Sequence, residues 1–183
     1  MQFHPLTVQA RADTPLGPVR LAASPTGLSG VWFEGQRHEH TAHLHGPGAW
    51  ALGPGHHPVL QEAAHQLQQY LAGELQHFDL PVDLSGGTAF QQSVWRALLQ
   101  IGRGQTTSYG ALARQMDRPT AMRAVGAAVG RNPLSMVVPC HRVLGADGSL
   151  TGYAGGLDRK RALLTLENAP LFAAATPPMK ATA

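Results

Sequence analysis

The chemistry of this sequence centres on its single cysteine. Cys140 is followed directly by His141 and Arg142, and His141 is the only one of ten histidines that lies after residue 80. A free thiol is mostly protonated at neutral pH and becomes a good nucleophile only beside a base or a cation. Adjacent side chains of a regular strand point to opposite faces, so Cys140 and His141 can cooperate only where the chain bends. Pro139 favours such a bend, and the segment therefore predicts a reactive thiol or, as the alternative, an inert buried one.

The elements that must position Cys140 form a mostly helical C-terminal domain over residues 88–170. Thr88 and Gln91 have capping-box spacing and open a helix. Ser108 is expected to cap a short helix through Met116, and a second short helix covers 121–130 before Asn132 and the following proline end it. Two short helices joined by about four residues have helix-turn-helix spacing, which many unrelated helix hairpins share.

The segment from residue 134 to 138 is predicted to be a short active-site strand that leads into the cysteine. A final helix is expected from Leu157 to about Asn168. The tail over 171–183 has little apolar surface to bury and is predicted to be flexible.

The first 80 residues predict a separate β-meander followed by one helix. Alternating segments at 7–11, 19–23 and 28–34 are separated by Pro- and Gly-rich turns, and residues 36–57 have no periodicity and predict a surface loop. A helix is expected from Pro58 to Gly73, with Gly73 as its C-cap. Residues 81–87 are predicted to be the linker, and the fold class is α+β.

Composition and charge limit the possible functions. The 183 residues are 43% apolar, which is enough for a real core, and a lone cysteine excludes disulfides and multi-thiolate metal sites. The net charge is −3 over residues 1–80 and +6 over 81–183, so a polyanion should bind the second half. No apolar run approaches the roughly 20 residues that span a membrane, and the N-terminus lacks a signal-peptide pattern, so a cytoplasmic protein is expected.

Several motifs together resemble one known family, the O6-alkylguanine-DNA alkyltransferases. They are SYGALA, MRAVGAAVGRNP, VVPCHRV and the Gly-Tyr-Ala-Gly-Gly segment at 152–156, in matching order and spacing from about Phe90 to Glu167. The N-terminal part resembles the family through TPLGPVRLA and its meander-then-helix layout, which implies a ribonuclease H-like domain.

The resemblance implies a role for each catalytic residue. Cys140 would be the alkyl acceptor, and His141 would deprotonate it through a water held by Glu167. Tyr109 would donate a hydrogen bond to the base as the leaving oxygen gains charge. Asn132 would be the hinge between the recognition helix and the active-site strand.

The resemblance also implies the DNA and substrate contacts. Arg123 would enter the base stack in place of the extruded nucleotide, and Tyr109 would also lie at the DNA. Small residues on the same helix would let its backbone approach the DNA: Ala121, Ala124, Gly126 and Ala127. The base pocket would be lined by Val143, Tyr153, Ala154 and Gly155. A methionine at position 129 does not apply to this pocket, since the sequence has Val129 there.

The implied activity is direct reversal of DNA damage. A monomer without cofactor or metal would transfer the alkyl group of O6-alkylguanine, and less well of O4-alkylthymine, irreversibly to Cys140 in double-stranded DNA. One alternative is a DNA-lesion-binding or regulatory helix-turn-helix protein without chemistry, and another is a cysteine hydrolase using Cys140, His141 and Glu167. A third alternative is a metal site formed by histidines of an aperiodic segment that contains no cysteine thiolate. The candidate ligands are His38, His40, His43, His45, His56 and His57.

Overall fold

The computed structural model describes residues 3–38 and 57–170. Its N-terminal part is an antiparallel sheet of β1 (Val8–Ala12), β2 (Val19–Ser24) and β3 (Gly27–Phe33), in the order β1-β2-β3. The three predicted strands are therefore confirmed. Every residue of β3 is buried, because the strand is covered on both faces. The predicted loop over 36–57 lies outside the described residues except at its two ends.

Helix α1 (Pro58–Leu71) packs against all three strands. The periodicity places Leu60, Ala64, Leu67 and Leu71 on one face of this helix. The first three are buried and Leu71 is half-buried, while Tyr70 beside it is buried. The helix ends where Gly73 takes a φ of +81°, a left-handed conformation that costs glycine little. The predicted helix and its glycine stop are confirmed.

The described C-terminal part contains four α-helices. They are α2 (Ala89–Leu99), α3 (Tyr109–Gln115), α4 (Met122–Gly130) and α5 (Leu157–Leu166). Both predicted N-caps are confirmed: Thr88 and Gln91 form a reciprocal capping box, and Ser108 accepts from the amide of Ala111 at 3.1 Å. Helices α3 and α4 pack together with a 3-10 turn between them, which gives the helix-turn-helix arrangement.

The predicted strand before the cysteine is wrong. Only Leu134 pairs, through an isolated parallel bridge with Val31, and the chain then turns with Met136 at a φ of +69°. A positive φ for a side-chain-bearing residue is incompatible with a regular strand. The short strand lies instead after the reactive segment, where β5 (Val143–Leu144) pairs in parallel with β4 (Thr107–Ser108).

The two halves of the chain share one core. The amide of Val31 donates to the carbonyl of Pro133 at 2.8 Å, and the amide of Ser135 donates back to Val31 at 2.9 Å. The amide of Leu28 donates to the carbonyl of Pro81 at 2.7 Å and so anchors the predicted linker. A single cluster of buried apolar residues runs from the sheet and α1 into the C-terminal helices. The division into domains at 1–80 and 88–170 therefore stays a prediction from sequence.

Within the described ranges 3–38 and 57–170, no helix is long and apolar enough to cross a membrane. The tail at 171–183 lies outside these ranges.

The capping box offers a test of the fold. Thr88→Ala should lower the free energy of unfolding by about 1 kcal/mol, because an amide at the start of α2 loses its acceptor. Chemical denaturation measures this change. Ser93→Ala, at an exposed position of the same helix, is the matched control and should leave stability nearly unchanged. Equal losses for both variants would show that the cap contributes nothing specific.

Candidate active site

Cys140 begins a 3-10 turn that extends to Arg142, so the chain bends where Pro139 predicted a bend. Asn132, just after α4, holds this turn through its side chain. Its Nδ2 donates to the carbonyl of Val138 at 2.8 Å and to Sγ of Cys140 at 3.1 Å, while its Oδ1 accepts from the amide of Leu134 at 3.0 Å. Asn132 thus connects the end of α4 to the sulfur. The strand to which it was predicted to be the hinge does not form.

His141, Glu167 and Arg142 form a buried cluster beside the cysteine. Nε2 of His141 lies 2.7 Å from Oε1 of Glu167, and neither side chain is exposed. Nε and Nη2 of Arg142 donate to the two oxygens of Glu167 at 2.8 and 2.9 Å. Glu167 is therefore bound directly to the imidazole and to the guanidinium of Arg142, while its predicted role in holding a water stays a prediction. Among the described residues, Nδ1 of His141 has no protein partner.

Burial and neighbouring charge decide how these groups ionise. Burial raises the pKa of the Cys140 thiol, while the hydrogen bond from Asn132 and the charge of Lys160 lower it. Burial lowers the pKa of His141, against the opposing effect of Glu167. Burial alone would raise the pKa of Glu167, but His141 and Arg142 together hold it well below its usual range. The resting site therefore has a neutral imidazole beside a carboxylate that Arg142 neutralises.

Lys160 is a functional candidate that the sequence analysis missed. Its Nζ is buried and donates to the carbonyls of Val143 and Thr151, both at 2.6 Å. Burial lowers the pKa of Lys160 to about 8, and the nearby Cys140 thiolate acts to raise it. A sequence signal exists: Lys160 precedes Leu163 and Leu164 by three and four positions, so a cation stands on the apolar face of α5.

Tyr70 is a second residue that the sequence analysis missed. It belongs to α1 in the N-terminal part, and its hydroxyl donates to Oε1 of Glu167. Its ring is buried, and burial followed by the charge of Glu167 raises the pKa of its hydroxyl. The apolar face predicted for α1 did not include Tyr70, and no motif points to it.

A cavity of about 370 Å³ lies next to this cluster. Its lining residues include Tyr109, Arg123, Gly152, Tyr153 and Ala154. Cys140 is 5% exposed and does not itself line the cavity. Burial raises the pKa values of Tyr109 and Tyr153 at the cavity wall, and the charge of a Cys140 thiolate raises both further because the sulfur lies near them. The hydroxyl of Tyr109 donates to the carbonyl of Gly152 at 3.3 Å.

The cavity loop at 152–156 is supported from the N-terminal part. A Cβ added to Gly155 would lie 2.9 Å from the ring of Phe33, so glycine permits this contact. The guanidinium of Arg159 lies 4.5 Å from the same ring and donates to the carbonyl of Gly155 at 3.0 Å. Two predicted pocket residues, Gly155 and Val143, are buried and do not line the cavity. Tyr153 and Ala154, two others, do line it.

Position 129 faces the core and not the cavity. The residue at position 129 is Val129, near the end of α4, so no methionine stands at this position. Its side chain is buried in the core that the two halves share, and it does not line the cavity. Its carbonyl accepts from the amide of Asn132 at 3.2 Å. Position 129 therefore supports the end of α4 and contributes nothing to the pocket wall.

Helix α4 and the residue before it carry most of the predicted DNA-contact residues. Arg123, Ala124 and Ala127 are exposed, while Ala121 and Gly126 are half-buried. Arg123 and Gly126 also line the cavity. Further exposed arginines lie on or near the helix-turn-helix, so this part of the chain is basic: Arg96, Arg114, Arg118 and Arg131.

Metal ligands do not gather in the described parts of the chain. Over 3–38 and 57–170, no three His, Cys, Asp or Glu side chains are arranged to hold a metal ion. Of the six histidines proposed for a metal site, four lie outside these ranges: His40, His43, His45 and His56.

Comparison with known proteins gives consistent matches along the chain. Residues 89–169 match the family model described as "6-O-methylguanine DNA methyltransferase, DNA binding domain", and residues 8–84 match its "ribonuclease-like domain". A Mycobacterium tuberculosis protein named "Methylated-DNA--protein-cysteine methyltransferase" is 49% identical over 155 residues, which cover 85% of this chain and 88% of the relative. A Methanosarcina acetivorans protein of the same name is 44% identical, covering 85% of this chain and 94% of the relative.

Among solved structures, Mycobacterium tuberculosis OGT in complex with DNA aligns with a TM-score of 0.74 at 46% identity. The alignment covers 88% of this chain and 92% of that protein. The two family models together span most of the chain, and the predicted α+β fold with its ribonuclease-like N-terminal part is confirmed. This chain belongs to the 6-O-methylguanine DNA methyltransferase family.

Proposed function

We propose that this protein repairs O6-alkylguanine in double-stranded DNA by moving the alkyl group to Cys140, once per molecule. The observation that carries the proposal is the buried Cys140 turn, with Asn132 on its sulfur and the bonded His141 and Glu167 pair beside it, next to a cavity in a basic part of the chain. The relatives' name, methylated-DNA–protein-cysteine methyltransferase, agrees with this activity.

The substrate base must leave the helix to reach the sulfur. O6 of guanine lies inside the duplex, and a thiolate has to approach the alkyl carbon opposite the C–O bond, so the nucleotide is extruded into the cavity. Extrusion costs a few kcal/mol and is easiest for a weakened base pair, which favours damaged bases. A cavity of about 370 Å³ is within the range of small-molecule sites.

The thiol proton moves to His141 before transfer. Nε2 of His141 is engaged by Glu167, so Nδ1 is the atom left to take the proton, through a bridging water. Asn132 and Lys160 stabilise the resulting thiolate against the cost of burial. These groups make the thiol a nucleophile only within the folded site.

Transfer is a displacement at the alkyl carbon. The Sγ–C bond forms while the C–O6 bond breaks, and its electron pair goes to the guanine, where Tyr109 at the cavity wall donates a hydrogen bond as charge develops. The net reaction puts the alkyl group on sulfur and the thiol proton on guanine. A thioether has no readily hydrolysed bond, so the protein is consumed. O4-alkylthymine, with a similar alkyl–oxygen bond, is expected to react less well.

DNA binding relies on the exposed face of α4. The small side chains at 124 and 127 let the helix backbone approach the duplex, and Arg123 enters the stack in place of the extruded base. The surrounding arginines contact phosphates, which gives affinity without sequence preference. Action as a monomer is part of the proposal. Because the substrate is DNA, a cytoplasmic location is part of the proposal.

Transfer stoichiometry tests the function directly. Incubation with a duplex that contains O6-methylguanine should add the mass of one methylene group to the peptide that carries Cys140, as measured by mass spectrometry. Cys140→Ala should bind the duplex but transfer nothing. Turnover beyond one equivalent would contradict the mechanism and favour a hydrolase, and DNA binding with an unmodified cysteine would favour a lesion-binding protein.

Arg123→Ala should slow repair in duplex DNA more than transfer from a free O6-alkylguanine base. The variant loses the side chain that replaces the extruded nucleotide but keeps the nucleophile and its neighbours. Single-turnover rates on both substrates measure the difference, with Arg161→Ala, an exposed arginine on α5 outside the helix-turn-helix, as the control. An equal loss on both substrates would argue against the stacking role.

Lys160→Met should raise the pKa of the Cys140 thiol and slow transfer at neutral pH. A shift of one pKa unit corresponds to about a tenfold loss, which should shrink as the pH rises above about 8, because Lys160 then loses its charge in the wild-type protein as well. The pH dependence of transfer from a free modified base measures this, and Lys160→Arg, which keeps the charge, is the control. A loss that stays constant with pH would show that Lys160 only supports the backbone.

A further inference from the structure

The carboxylate beside His141 receives a hydrogen bond from the other half of the chain. Tyr70 is fully buried on α1, with its ring 4.8 Å from that of Phe78 and 5.4 Å from the guanidinium of Arg103. Its hydroxyl donates to Oε1 of Glu167, the same oxygen that Nε2 of His141 contacts. A hydroxyl at this point acts on the imidazole through the carboxylate.

Three donors converge on Oε1 of Glu167. Besides Tyr70, they are Nε2 of His141 at 2.7 Å and Nη2 of Arg142 at 2.9 Å. Each donor stabilises part of the negative charge of the carboxylate. The hydrogen bond from Tyr70 therefore leaves less of that charge to stabilise a protonated imidazole. Tyr70 acts only as a donor here, since burial and the charge of Glu167 raise its pKa and keep its proton in place.

We propose that Tyr70 is a positioning residue for alkyl transfer, which holds Oε1 of Glu167 on Nε2 of His141 and moderates the basicity of the imidazole. This inference rests on the proposed function. A carboxylate fixed on Nε2 selects the tautomer whose lone pair is on Nδ1. Without the phenol, Oε1 carries more electron density and stabilises the protonated imidazole more strongly.

The charged groups around this pair remain the same when the phenol hydroxyl is removed. His141 faces Glu167, Arg142 and Lys160, with Cys140 beside it and the ring of Tyr153 edge-on at 6.4 Å. Tyr70 itself faces Glu167, Arg142 and Arg103. Among the described residues, the titratable groups that act on this pair are Cys140, Glu167, Arg103, Arg142, Tyr153 and Lys160. Tyr70→Phe changes none of these charges and almost no volume.

The test is the pH dependence of transfer from a free O6-alkylguanine base. Because a more basic His141 is protonated at higher pH and then cannot accept the thiol proton, Tyr70→Phe should move the acid limb of the profile to higher pH. The rate on this limb should fall about three- to tenfold, with little change on the alkaline side. Thermal unfolding of the same variant reports any loss of stability.

Gln66→Leu is the matched control on the same helix. Nε2 of Gln66 donates to the carbonyl of Asp79 at 2.9 Å, and its Oε1 accepts from the amide of Asp79 at 2.8 Å, away from Glu167. This variant should unfold at a lower temperature with an unshifted profile. If Tyr70→Phe behaves in the same way, Tyr70 is only structural and the inference is wrong.

A second reagent separates this inference from the proposed function. If the wild-type protein transfers no alkyl group from O6-alkylguanine, the proposed function fails. Methylation of Cys140 by iodomethane, which needs neither DNA nor base recognition, then shows whether Tyr70→Phe shifts the acid limb of thiol reactivity. An unshifted limb there would overturn the role of Tyr70 as well.

Discussion

A carboxylate that is closed off from solvent organises this protein. Glu167 can remain ionised there only because His141, Arg142 and Tyr70 surround it with donors. These donors come from the reactive turn and from a helix of the other half of the chain, so both must be in place before the carboxylate is satisfied. An unpaired buried charge is too costly to tolerate, and this cost makes the arrangement strict.

The reactive turn itself depends on satisfied backbone groups. The turn from 134 to 138 forms no ladder, and the side chain of Asn132 supplies part of the bonding that a strand would have provided. The same amide contacts the sulfur, so one side chain supports the backbone and the nucleophile. Lys160 also has two roles, since it donates hydrogen bonds to two backbone carbonyls and places a cation near the thiol.

Periodicity and turn chemistry predicted most of the elements, because local rules decide them. The meander, the capping box of Thr88 and the glycine stop at Gly73 all follow from short-range preferences. The strand before Cys140 was wrong because a side chain, Asn132, replaced ladder bonds, and no periodicity encodes that exchange. Cys140, His141 and Glu167 were found through their motif, whereas Tyr70 and Lys160 act through long-range contacts that a one-dimensional pattern does not contain.

The continuous core couples the stability of the N-terminal sheet to that of the reactive turn. Most buried apolar side chains of both halves belong to this core, and only small clusters lie apart from it, such as that of Leu144, Leu164 and Ala169. A packing defect far from the sulfur, for instance beneath the meander, would therefore loosen the reactive turn along with everything else. Destabilising changes should therefore abolish folding and thiol reactivity in one cooperative transition, in which neither half stays folded and active alone.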